Sequence, residues 1–300
     1  MSIAGGPARA IERGLSVGCT AVQIFVKNNM QWNATPWKEG ELAAFHEHPQ
    51  RARLASVFGH AGYLINLAAT DADFHRRSLE SLREELVRAE DLRLPFLVLH
   101  PGAHLGAGEA AGVQKIVASL DAVFGGLPDG LKVKVALETT AGMGTTVGHT
   151  FGQLAEIFAS VREPERLCVC VDTAHLFAAG YDLSSEEATA ETFAEFDRTL
   201  GLARLAVIHV NDSKTPHGSR VDRHAAIGKG HIGLPAFRYV MRAPELRAVP
   251  KVLETPKGKD LKEDVENLAV LRALLEDEEE AQEVTHAKAQ SRKGRKKNPK

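Results

Sequence analysis

The sequence predicts an α/β fold of repeated strand–helix units, wound into a barrel or an open parallel sheet. Seven short apolar runs recur along the chain, and amphipathic stretches separate them, with a repeat of roughly 35–45 residues. Six of the runs end at or beside a histidine or an acid, which favours a (β/α)8 barrel, where all strand ends meet at one mouth.

The runs are Thr20–Val26, Leu54–Phe58, Leu94–Leu99, Lys132–Leu137, Leu167–Val171, Leu205–Val210 and Val249–Leu253. Near-continuous apolar character over five to seven residues suits strands covered on both faces, as in a parallel sheet. Of the stretches between them, Arg76–Asp91 is the clearest helix, with Leu79, Leu82, Leu86 and Val87 on one side and charges opposite.

Composition agrees with a chain that buries a sizeable core: 44% hydrophobic and 25% charged over 300 residues. The first fifteen residues lack the apolar run of a signal peptide, and no stretch approaches the ~18 apolar residues of a membrane span. A cytoplasmic location is expected. The three cysteines, Cys19, Cys168 and Cys170, are an odd number, and the last two share a strand face, so buried reduced thiols are expected.

Overall charge is -2, with two local imbalances: residues 276–283 hold six acids, and residues 288–300 hold seven basic side chains without an acid. The expected organisation is a folded domain over 1–275 and a disordered acidic-then-basic tail over 276–300. That tail is either a tether for phosphates or a solvated terminus.

The chemistry lies at the ends of the runs. His60 follows the second, while His100, Glu138, Asp172, His209 and Glu254 stand at or near the ends of the next five, spaced 34 to 45 residues apart. Barrel enzymes build their active sites at that mouth. Three more candidates sit in loops: His175, one helical turn after Asp172, and the pair Asp222 and His224, which an extended chain places on one side. Five imidazoles and four carboxylates suit Zn²⁺ or Mn²⁺. Nine ligands imply two or three metals, and clustered divalent cations are a recurring device for phosphodiester hydrolysis. Their excess positive charge favours an anionic substrate.

The segments HAGYLINLA (60–68), LHPGAH (99–104), LETTAGMGTTVG (137–148) and VCVDTAHLFAAGYD (169–182) resemble those of endonuclease IV, the zinc-dependent apurinic/apyrimidinic endonuclease family. So do IHVNDSKTPHGSRVDRHAAIGKGHIG (208–233) and VLETP (252–256). The resemblance covers about residues 2–275. It implies three Zn²⁺, with Mn²⁺ as an alternative at one site. One would sit on His60, His100 and Glu138. Glu138, the implied catalytic bridge, would reach a second held by Asp172, His209 and Glu254, and the third would sit on His175, Asp222 and His224. It also implies hydrolysis 5′ to abasic sites in double-stranded DNA, leaving a 3′-hydroxyl and a 5′-deoxyribose phosphate, with DNA carrying blocked 3′ ends as a further partner. A monomer working in the cytoplasm, at the nucleoid in a bacterium, is implied as well.

For DNA binding, Tyr63 and Leu64 match the family's wedge that fills the space left in a base stack; the plain alternative is that Leu64 and Ile65 are core residues at a helix start. The loop Lys27–Trp32 matches a DNA-contacting loop, with Met30 where a related enzyme has arginine. Lys214, Arg220 and Arg223 flank the Asp222/His224 pair as phosphate contacts; the alternative for Arg220 and Arg223 is pairing with nearby carboxylates. The segment from Met1 to Gly6 aligns just after the family's first strand, so the expectation is a barrel lacking that strand, or a translation start upstream of Met1. Two rivals remain: a metal-dependent sugar isomerase or epimerase on the same barrel, and a DNA-binding relative impaired in catalysis by the missing strand.

Overall fold

The computed structural model describes residues 1–275; the acidic run and basic tail lie outside the described residues. Seven parallel strands form one sheet in sequential order: β1 (Ala21–Phe25), β2 (Ser56–His60), β3 (Phe96–Leu99), β4 (Lys134–Glu138), β5 (Leu167–Asp172), β6 (Leu205–His209) and β7 (Lys251–Val252). All seven coincide with the apolar runs of the sequence. The second begins later than its run, because Arg51–Arg53 form a 3-10 turn that ends at Leu54.

Helices cover the outside: α1 (Ala8–Ser16), α2 (Glu41–His46), α3 (Ala72–Asp91), α4 (Glu109–Phe124), α5 (Phe151–Ser160), α6 (Thr173–Ala179), α7 (Glu186–Thr199) and α8 (Leu234–Arg242). A last helix runs from 262 to 275. Asp71, Thr150, Asp172 and Ser185 cap α3, α5, α6 and α7 with side-chain oxygens that accept otherwise orphaned backbone N–H groups. Among the described residues no helix is long and apolar enough to cross a membrane.

Side chains alternate along each strand between barrel interior and helix layer. Val57, Leu97, Leu99, Val135, Leu137, Val169, Val171 and Ile208 pack outward in the main core. Phe58, Phe96, Val98, Ala136, Cys168, Cys170 and Val207 fill the interior, with Phe58 and Phe96 stacked at 4.7 Å. Continuing the same two-residue step upward reaches His60, His100, Glu138, Asp172, His209 and Glu254, so the candidate ligands are the top layer of the inward-facing rows. All three cysteines are free, with Cys168 and Cys170 buried.

The register needs one correction to deliver this layer. Between β5 and β6 the pairing jumps from Val169↔Leu205 to Cys170↔Val207, a bulge that brings Asp172 opposite His209. Without the extra residue Asp172 would face Ile208, an outward position. Strands β1 and β7 are the two ends of the sheet. Between them lies a cavity of about 2060 Å³ that reaches from Arg272 and Leu275 up to His100, His175 and His224. The amino group of Met1 enters it and donates to the Gln23 carbonyl.

Candidate metal centre

Glu138, fully buried at the end of β4, is the hub of the barrel mouth. One carboxylate oxygen lies 2.9 Å from His100 Nε2 and 3.3 Å from His60 Nε2. The other lies 2.9 Å from His209 Nδ1 and 3.4 Å from His175 Nδ1. Around it, ligand atoms converge in sets with mutual distances under 4.8 Å: His60, His100 and Glu138; then Glu138, Asp172, His209 and Glu254; then Asp172, His175 and His224. In the third set Asp172 stands where the sequence reading placed Asp222. Asp222 is close nonetheless, 3.1 Å from His175 Nε2 and 3.2 Å from His224 Nε2.

Asp172 has two tasks. Its Oδ1 accepts the backbone N–H of His175 as the cap of α6, at 2.9 Å, and this places His175 one turn further on. Its Oδ2 accepts from Asn211 Nδ2 at 2.6 Å, while Asn211 Oδ1 accepts the backbone N–H of Glu254 at 2.8 Å. Asn211 therefore holds two candidate ligands at once. Three imidazoles are turned by backbone carbonyls: the Nδ1 atoms of His60, His175 and His224 lie 2.7, 2.8 and 3.2 Å from the carbonyl oxygens of Ala61, Thr139 and Glu254.

Burial alone would raise the Glu138 carboxyl, but the His209 and His100 imidazoles outweigh it and hold it well below the usual carboxylate range. Burial likewise opposes a charged His224, yet the Asp172 and Asp222 carboxylates lift it to about 9. Protons and divalent cations compete for these lone pairs, so cation uptake releases protons. The residues fit such cations. Imidazole nitrogens and carboxylate oxygens are the donor set of zinc and manganese. His224 Nε2 is buried without a hydrogen-bond partner among the described residues, aimed at the carboxylates of Asp222 and Asp172. Cys170, expected only as a core thiol, also lies beside Glu138 and His209, and burial pushes its pKa up and keeps it protonated.

On the rim, Tyr63 is 55% exposed and stands edge-on to Phe25 and His60. Leu64 is half-buried and Ile65 is core; residues 61–68 form turns, not a helix start. Met30 is 63% exposed and shares a second, smaller hollow with Leu64, Trp32 and Arg77. Beneath both loops lies a buried ion pair that the sequence did not reveal. Lys27 Nζ sits 3.2 Å from Glu85 Oε1 and donates to the carbonyls of Gln31 and Trp32 and to Ser81 Oγ. Glu85 Oε2 accepts the Gly62 N–H at 2.8 Å. A Cβ on Gly62 would come within 3.2 Å of both Asn29 O and Glu85, so glycine permits the close approach of the two loops. Arg220 and Arg223 are exposed and make no ion pair among the described residues; Lys214 is exposed beside them.

A family model described as xylose isomerase-like TIM barrel matches residues 11–274. Fold and site together thus define a TIM barrel of that class, with a mouth fitted for divalent cations. "Probable endonuclease 4" of Chloroflexus aggregans is 47% identical over 277 residues, covering 92% of this chain and 96% of that one. The crystal structure of endonuclease IV from Thermus thermophilus superposes with a TM-score of 0.80 at 34% identity, covering 92% and 97% of the two chains. The chain belongs to the endonuclease 4 family. A D-tagatose 3-epimerase-like protein, at 17% identity, TM-score 0.69 and coverage of 94% and 98%, shares the fold alone.

Proposed function

We propose that this chain is a DNA-repair endonuclease that cleaves duplex DNA on the 5′ side of abasic sites, leaving a 3′-hydroxyl and a 5′-deoxyribose phosphate. The nine side chains of the mouth would hold three divalent cations, zinc or, at one site, manganese. A single observation carries the proposal: Glu138 sits among His60, His100 and His209, and a further cluster of His175, Asp222 and His224 joins it through His175. An isomerase site with two carboxylates does not need that extra cluster. When bound, such cations polarise phosphoryl oxygens and offset charge on the departing oxygen.

The chain's own residues do the rest. Glu138 joins the first and second ligand sets, and the carbonyl-held imidazoles present fixed lone pairs. Tyr63, with Leu64 behind it, is placed to fill the space left by a missing base; Met30 lines the adjoining loop. An abasic nucleotide has no base to unpair, which lowers the cost of turning it out of the helix. Arg220 and Arg223, exposed beside Asp222, supply charge for phosphates. The bacterial relatives support a working place in the cytoplasm, and we propose a monomer as the working form.

The test is a labelled duplex with one tetrahydrofuran abasic analogue beside an undamaged control. Cleavage 5′ to the analogue, abolished by a chelator and restored by zinc, with about three zincs per chain by elemental analysis, is the expected result. Zinc-loaded protein that epimerises ketoses and leaves the damaged duplex intact would establish the sugar-isomerase alternative. Tight binding of the damaged duplex without nicking would establish the impaired relative.

A further inference from the structure

Gln23 is the inward-facing residue in the middle of β1, and its side-chain amide spans two of the candidate ligands. Its Nε2 donates to Glu254 Oε1 at 2.6 Å, and its Oε1 lies 2.7 Å from His209 Nε2. The orientation of this amide follows from chemistry. A carboxylate only accepts, so the NH₂ end must face Glu254 and the carbonyl end must face His209. His209 Nε2 therefore carries a hydrogen. Its Nδ1 is left to face Glu138, Glu254 and Asp172, at 2.9, 3.4 and 3.8 Å.

This differs from three of the other imidazoles. His60, His175 and His224 are turned by backbone carbonyls at Nδ1, which no substitution removes, and so offer Nε2. His209 offers Nδ1, and a side chain sets that choice. We propose that Gln23 is a positioning residue for the central cation site: it selects the Nδ1-ligating form of His209 and fixes the Glu254 carboxylate beside it. The proposal rests on the metal-site reading above. The partner hydrogen bond of a ligating imidazole typically changes metal affinity by about 10- to 100-fold.

The experiment uses zinc alone as the probe. Metal-free wild type, Gln23→Met and Gln23→Glu are titrated against a chromophoric chelator, and cobalt(II)-loaded samples are compared by visible absorption. Met has nearly the shape of Gln and makes neither hydrogen bond. Its first loss should be one zinc of the three, bound about 10- to 100-fold more weakly, with an altered cobalt spectrum and a metal-free chain that still melts cooperatively. Glu keeps the acceptor for His209 but loses the donor to Glu254 and sets a second carboxylate against it, so it too should bind one zinc more weakly, which carries the test should the Met variant not fold. Gln23→Met with three zincs held as tightly as in the wild type overturns the role of Gln23 and leaves the metal site standing. So does Gln23→Glu with all three zincs held as tightly as in the wild type. Wild-type protein that takes up no zinc overturns the metal site, and this inference with it.

Discussion

Replacing Lys27 by Met should destabilise the fold and loosen the rim formed by the Met30 and Tyr63 loops together. Lys27 and Glu85 side chains are only 2% and 1% exposed, so neither charge is screened by water. Burial already pushes the Glu85 carboxyl up, against the pull of Lys27. Removing the ammonium leaves that carboxylate with the Gly62 N–H and Ser81 hydroxyl, and leaves two carbonyls without their donor. Breaking a buried pair from one side costs about 3–5 kcal/mol. In a domain of this size that lowers Tm by about 2–4 °C per kcal/mol. Lys27→Met/Glu85→Met removes both charges and should cost no more than either single change, a coupling above about 2 kcal/mol. Urea denaturation followed by fluorescence of Trp32 and Trp37 measures all three variants. Because the pair ties the Met30 loop to the Tyr63 loop, KM for an abasic duplex should rise while kcat at saturation changes little. Single variants within about 0.5 kcal/mol of wild type, or additive costs in the double variant, would refute the reasoning.

Glu138→Gln keeps the shape of the hub but removes the charge that four imidazoles surround, so abasic-site cleavage should fall by about 100-fold or more; near-normal nicking would mean that Glu138 is not the bridge. Lys251 donates to the carbonyls of Leu246 and Val249, and burial lowers its pKa from 10.5 to about 8. Between those values the unfolded chain binds the extra proton, so stability rises with pH across that window. Relative to Lys251→Met, the wild type should gain stability from pH 7 to pH 10; thermal melts with a constant difference would dismiss the effect.

The strands and the candidate ligands were legible in the sequence because both are local. A buried parallel strand writes itself as an apolar run, and the two-residue alternation that puts Phe58 inside also puts His60 inside, one layer higher. The Asp172–His175 relation is local too: one helical turn, capped by the first residue. Gln23 showed only as a polar residue in an apolar run, and its meaning needed Glu254, 231 residues away. Nothing in the runs of β5 and β6 signals the bulge that sets Asp172 against His209, since an extra residue leaves the apolar pattern intact. Lys27 reads only as the start of a loop that resembles a DNA-contacting one, and Glu85 only as one of the charges opposite the apolar side of Arg76–Asp91, until the loop after β1 is laid over α3, where water is excluded. Periodicity along one chain specifies which face a side chain takes. Which partner it meets there is decided by strand register and loop packing, and those exist only once distant segments are brought together.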